Sequence, residues 1–132
     1  MLQEEGYKLV GAAFEVYNQL GPGMAEEIYQ QSLEIELDLR GIPFTSKQKL
    51  EVRYKGKLLE TFYCPDLFVF GSIVVEIKSV SALVPEHEAQ LFNYLRISGR
   101  PVGYLINFGH ASKLEWKRFI LSDLKINNSI ES

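Results

Sequence analysis

Cysteine is almost missing from this sequence. Cys64 is the only one, so no disulfide can close within the chain, and such a composition suits a reducing compartment such as the cytoplasm. Histidine is nearly as scarce: His87 and His110, far apart and with a single thiol, do not supply the nitrogen and sulfur ligands of a zinc site. No apolar run approaches the roughly 20 residues that cross a bilayer. The start, Met-Leu-Gln-Glu-Glu-Gly, is polar and acidic, unlike the basic and then apolar start of a secretory leader. Excess positive charge is missing too. Lys and Arg number 14 against 17 Asp and Glu, a net charge of −3, which argues against indiscriminate nucleic-acid binding driven by phosphate neutralisation. One local exception stands out: Lys47, Lys49, Arg53, Lys55 and Lys57 crowd a short stretch opposed only by Glu51. They either solvate an exposed hairpin or form a phosphate-facing patch.

What is present is an ordinary globular composition, 46% hydrophobic and 23% charged over 132 residues. That length predicts a single domain spanning 1–132, with its core over about 3–122. Tyr7, Val10, Phe14 and Tyr17 recur at helical spacing, widened by Leu9, Ala13, Val16 and Leu20, so the first helix is expected over about 3–20. Gly21-Pro22-Gly23 breaks it. A second helix is expected from about Met24 to Arg40, burying Ile28, Leu33 and Leu37 and ending at Gly41. Alternation then takes over: Leu50, Val52 and Tyr54 form one strand, and a turn at Lys55-Gly56-Lys57 leads into a second from Leu59 to Phe70. A turn at Gly71-Ser72 leads into Ile73–Lys78. That last run is apolar apart from Glu76 and Lys78, as a central strand covered on both faces should be. A helix over Glu86–Ser98, a strand over Val102–Asn107 and a strand or helix over Leu114–Leu121 complete the chain. The order predicts an α/β fold with a mixed sheet: two N-terminal helices, a three-stranded antiparallel meander, a helix and further strand(s).

The chemistry concentrates at one place. Glu76 and Lys78 are two apart on a strand, so both side chains leave one face while Ile77 enters the opposite layer. Charges inside an apolar strand are costly unless paired or solvated. The hairpin folds Asp66 back toward Glu76, and Pro65 beside it removes a ladder donor and predicts a bend. Two carboxylates held together call for a cation, and hard oxygen ligands suit Mg²⁺ or Mn²⁺. A neighbouring lysine then fits phosphodiester hydrolysis by an activated water. Taken alone the triplet is a weak signal whose bland alternative is a strand salt bridge, a reading disfavoured by the buried strand and the order of the surrounding elements. Cys64, two residues before Asp66, is expected to lie in the core. Trp116 is expected to pack rather than to stack on bases, and His87 to lie at the surface near a helix start.

Four motifs in order carry a more specific message: Gly23-Met-Ala-Glu26-Glu-Ile-Tyr29, preceded by Leu20-Gly-Pro; Pro65-Asp66 with Glu76-Ile-Lys78; His87-Glu-Ala-Gln90-Leu-Phe-Asn-Tyr94; and Ile106-Asn-Phe-Gly109. In them the chain resembles the GxxExxY proteins of the PD-(D/E)xK nuclease superfamily from about residue 3 to 122. The resemblance implies a restriction-endonuclease-like core and a metal-dependent nuclease acting on DNA in preference to RNA. It assigns Asp66 and Glu76 as principal metal ligands, with the Ile77 carbonyl and Glu26 as further ones. Lys78 becomes the catalytic lysine, and Gln90 with Tyr94, four apart on one helix face, a support for the site or the substrate backbone. The alternative for Glu26 is an acid in the first turn of a helix, favoured by the helix dipole. Tyr94 is equally a core residue and Gln90 a helix-end hydrogen-bonder. So small a nuclease could work as a homodimer or inside a larger complex, and a partner-dependent accessory module retaining the fold is the alternative function.

Overall fold

The computed structural model describes residues 1–122; the part of the expected domain beyond them, 123–132, lies outside the described residues. Helix α1 (Gln3–Leu20) runs into α2 (Glu26–Leu39). The strands β1 (Phe44–Ser46), β2 (Leu50–Tyr54), β3 (Lys57–Tyr63), β4 (Leu67–Val69) and β5 (Ile73–Lys78) follow. Helix α3 (Pro85–Ser98) then crosses to β6 (Val102–Asn107) and β7 (Glu115–Ile120). The main sheet has the order β1-β4-β5-β6-β7. Only β5 and β6 are parallel, and α3 is the connection that such a pair requires.

The sheet separates two apolar layers. On one side Leu67, Val69, Ile73, Val75, Ile77, Tyr104 and Ile106 meet Leu9, Ala13 and Val16 of α1 and Tyr29, Leu33 and Leu37 of α2. On the other, Phe68, Val74 and Leu105 meet Leu91, Tyr94 and Leu95 of α3. Burying each of these larger side chains stabilises the fold by about 1.5–3 kcal/mol. Strand β5 lies between the layers with Ile73 to Ile77 all buried, as its near-continuous apolar run predicts.

The mixed α/β fold is as expected, but its details differ in four places. The antiparallel meander does not form. Cys64-Pro65-Asp66 interrupts the expected Leu59–Phe70 strand, so β3 pairs with β2 in a separate two-stranded ribbon and β4 takes β1 as its neighbour. Strand β1 is too short to show a period. The β4–β5 turn is centred on Phe70-Gly71 rather than Gly71-Ser72: both have positive φ, 54° and 70°, in a tight hairpin turn. Finally, the helices are rotated from the expected stripes. Tyr7, Phe14 and Ile28 are exposed, because Leu9, Ala12, Ala13 and Val16 form the inner stripe of α1 and Tyr29, Leu33 and Leu37 that of α2. Small residues let α1 lie close to the sheet. A Cβ on Gly6 would fall 1.8 Å from the Tyr104 hydroxyl.

Candidate active site

Asp66 follows the bend at buried Pro65, one residue before β4, and Glu76 lies near the end of β5. Leu67 pairs with Val75, so the antiparallel register puts Asp66 opposite Glu76, as the hairpin argument predicts. The Asp66 N–H donates to Glu76 Oε1 at 2.9 Å, and the Ile77 N–H donates to Asp66 Oδ2 at 2.7 Å. Lys78 Nζ stands 3.9 Å from Glu76 Oε2. Ile77 points into the opposite apolar layer, as its position between the two charged residues requires.

This is an expensive place for two negative charges. Glu76 is 5% exposed, and burial, followed by the charge of Asp66, pushes its carboxyl up to about 8 against the relief given by the Asp66 N–H and Lys78. Burial also raises Asp66, opposed by the Ile77 N–H and by Lys78. Near neutral pH the two carboxyls therefore resist ionising together. Glu26, in the first turn of α2, is exposed and adds repulsion to both. Among the described residues no three His, Cys, Asp or Glu side chains form a ready-made metal cage. The donor set nevertheless fits a hard divalent cation: two adjacent carboxylates that such an ion would relieve, with no soft ligand among them.

Helix α3 supplies the other expected pair. Gln90 Nε2 donates to the Tyr94 hydroxyl at 2.8 Å. Burial, then the charges of Glu76 and Asp66, hold that phenol well above its ordinary value, so Tyr94 sits in the field of both acids. Its ring is also buried in the apolar layer beneath α3 and meets Tyr63 edge-on. His87 accepts the Val84 N–H through Nδ1 at the start of α3. Cys64 is exposed rather than in the core, its thiol donating to the Lys47 carbonyl at 2.9 Å. Strand alternation ends at Tyr63 and does not govern it. Trp116 is 42% exposed on β7, beside Tyr104.

Further residues frame the site, and Gln30 among them gave no local sign in the sequence. Gln30 is 3% exposed and donates through Nε2 to the Asp66 carbonyl at 3.0 Å and to Glu34 at 2.7 Å. The Lys47 N–H reaches the same carbonyl at 3.0 Å, and Lys47 Nζ pairs with Glu27 at 2.8 Å. The glycine and tyrosine of the first motif hold the α1–α2 loop. Tyr29 accepts the Met24 N–H, donates to the Gly21 carbonyl and stacks on Phe108 at 4.6 Å, while the Gly23 N–H reaches the Phe108 carbonyl. The last motif braces the chain after Lys78. Fully buried Asn107 accepts the Val80 and Gly109 N–H groups and donates to the Val80 carbonyl and Glu115.

Residues 3–119 match the sequence profile of the PD-(D/E)XK nuclease superfamily. The chain belongs to that superfamily. Solved structures share the fold. The structure of SSO0001 superposes with a TM-score of 0.59 at 21% identity, over 80% of this chain and 55% of that one. An alkaline exonuclease, LHK-Exo from Laribacter hongkongensis, superposes at 0.55 with 14% identity over 77% and 59%. The same exonuclease in complex with dAMP gives 0.50 at 13% identity over 88% and 80%. This superfamily member thus spans a little over half the length of the first two. No curated protein matches in sequence. PD-(D/E)XK nucleases generally use divalent metals, which agrees with the carboxylate pair at Asp66 and Glu76.

Proposed function

We propose that this chain is a nuclease that hydrolyses phosphodiesters with Mg²⁺ or Mn²⁺, and that within its superfamily it is a GxxExxY protein. The observation that carries the reading is half-buried Asp66 interlocked with buried Glu76, with Lys78 Nζ 3.9 Å from Glu76 Oε2. Asp66, Glu76, the Ile77 carbonyl and Glu26 would hold the ion, which when bound acidifies water and offsets phosphate charge. Asp66 and Glu76 are held in place by backbone N–H groups rather than by flexible side chains, so their positions are set before any ligand arrives. The Lys78 ammonium orients the attacking water and balances charge growing on the phosphate oxygens. Gln90 and Tyr94 support that face from α3. DNA is the substrate favoured, by analogy with the dAMP held by the structurally similar exonuclease, and a reducing cytoplasm is the expected compartment.

The test is cleavage of labelled single- and double-stranded DNA and RNA with Mg²⁺ or Mn²⁺, wild type beside Lys78→Ala. Activity in the wild type and none in the variant supports the reading. Cleavage that survives Lys78→Ala removes this site from the chemistry. One observation favours a second reading, a partner-dependent accessory module: the chain spans only 55% and 59% of two structurally similar proteins. That reading predicts metal binding without cleavage by the isolated chain.

A further inference from the structure

Strands β2 and β3 stand outside the five-stranded sheet. Every residue from Arg53 to Phe62 is exposed. Leu50 and Tyr63 at its base pack against the layer under α3, but the outer part is wetted on both faces, a marginal state for two strands, and holds Tyr54 at 64% exposure and Phe62 at 46%. Its charge opposes that of the rest of the molecule. Residues 47–63 carry five cations against Glu51 and Glu60, a net of +3 in a chain totalling −3, which leaves −6 for everything else. Lys47 is paired with Glu27, and Arg53 lies 3.6 Å from Glu51. Lys49, Lys55 and Lys57 form no ion pair among the described residues. Lys49 Nζ lies 4.3 Å from the centre of the Phe62 ring and Lys55 Nζ 5.5 Å from that of Tyr54.

The ribbon is rooted beside the candidate site. At one root, the Lys47 N–H donates to the Asp66 carbonyl at 3.0 Å. At the other, the Cys64 thiol donates to the Lys47 carbonyl at 2.9 Å, so the two ends are tied together two residues from Asp66. Tyr63, the last residue of β3, meets Tyr94 edge-on at 5.2 Å between ring centres.

We infer that the β2–β3 ribbon is an arm that grips single-stranded nucleic acid and leads it to the Asp66–Glu76 site, an inference that rests on the nuclease reading above. Unpaired cations attract the phosphates, and exposed rings beside them offer stacking faces that unpaired bases can use and paired ones cannot. A second copy of the arm is a poor occupant, because two arms of the same sign repel. A polyanion is the complementary one.

The experiment is fluorescence anisotropy of a labelled single-stranded DNA with the full chain, with Ca²⁺ replacing Mg²⁺ to suppress turnover. The wild type is set beside Lys49→Ala/Lys55→Ala/Lys57→Ala, Phe62→Ala, and Lys8→Ala/Lys113→Ala as a charge control away from the arm. The triple variant should bind about tenfold or more weakly, with a log–log salt slope shallower by about 2, since each lost single-strand phosphate contact removes roughly 0.7. Phe62→Ala should weaken binding with the slope unchanged, and the control should match wild type. Thermal melting checks that each variant folds. A triple variant that binds like wild type with the same slope overturns the inference. So does a wild type that binds no oligonucleotide, or an arm whose substitution changes only the oligomeric state in sedimentation. The nuclease reading fails separately: arm-dependent binding without cleavage sinks it and leaves the arm standing, and cleavage indifferent to the arm does the reverse.

Discussion

Asp66 and Glu76 hold each other through the backbone: the Asp66 N–H binds the Glu76 carboxylate, and the N–H of the residue after Glu76 binds the Asp66 carboxylate. Each acid therefore has one oxygen committed to the hairpin, and the pair is positioned without help from Lys78.

That independence sets the first prediction. Lys78→Ala should lower kcat by at least about a hundredfold, the scale of losing a charge-stabilising donor. Metal affinity, read by calorimetry, and the melting temperature should stay close to wild type. A variant that loses metal binding along with turnover would show that Lys78 organises the carboxylates rather than acting on substrate.

The second concerns pH. Glu76 titrates at about 8 in the folded chain, raised from an ordinary value of 4.5. The folded state thus binds more protons than the unfolded one between those values, so the metal-free protein should lose stability as pH rises through that window. The slope is bounded by about 1.4 kcal/mol per pH unit. Saturating Mn²⁺ should flatten the decline, and Glu76→Gln should reduce it to what the raised Asp66 carboxyl contributes. Melts from pH 5 to 8.5, with and without metal, decide it; a metal-free profile flat in the wild type would mean the carboxylate is not stressed.

Gly109 gives the third. A Cβ there would lie 2.3 Å from the Val80 backbone nitrogen, in the segment that follows Lys78. Gly109→Ala should destabilise by about 1–3 kcal/mol, as overpacking does. Asn107→Ala, which leaves several buried polar groups unpaired, should cost about as much or more. Denaturant unfolding measures both.

Gln30 gives the fourth. Gln30→Leu keeps the volume and removes the donor to the Asp66 carbonyl. Stability should fall by about 1 kcal/mol, while metal affinity falls several-fold because Asp66 loses one of its two carbonyl anchors. Unchanged metal affinity at the cost in stability alone would make Gln30 a packing residue.

How far the sequence carried this picture depended on range. The triplet was legible because Asp66, Glu76 and Lys78 lie on one hairpin, where a two-residue period and one turn decide who faces whom. Strand β5 was legible because its burial on both faces is written as an apolar run. Gln30 and Lys47 were not, since their partner is the Asp66 carbonyl, far along the chain, and a backbone acceptor leaves no mark on composition. The detachment of β2 and β3 was equally hidden: Leu59 to Phe70 reads as one strand until the bend at Pro65 is weighed as a break between sheets. Tyr7, Phe14 and Ile28 misled because a helical period sets a stripe's spacing but not which of two adjacent stripes turns inward.

The α1–α2 loop that precedes Glu26 is anchored late. Gly23 is bound by the Phe108 carbonyl, the Tyr17 hydroxyl by that of His110, and the Tyr29 ring by Phe108. During synthesis from the N-terminus, Glu26, Asp66, Glu76 and Lys78 all emerge before the residues that seat the first helices against the sheet. A nascent chain in that interval can close the Asp66–Glu76 hairpin but lacks the partners that hold the α1–α2 loop. The α1–α2 loop therefore takes its final shape only after β6 and the residues just beyond it have been made.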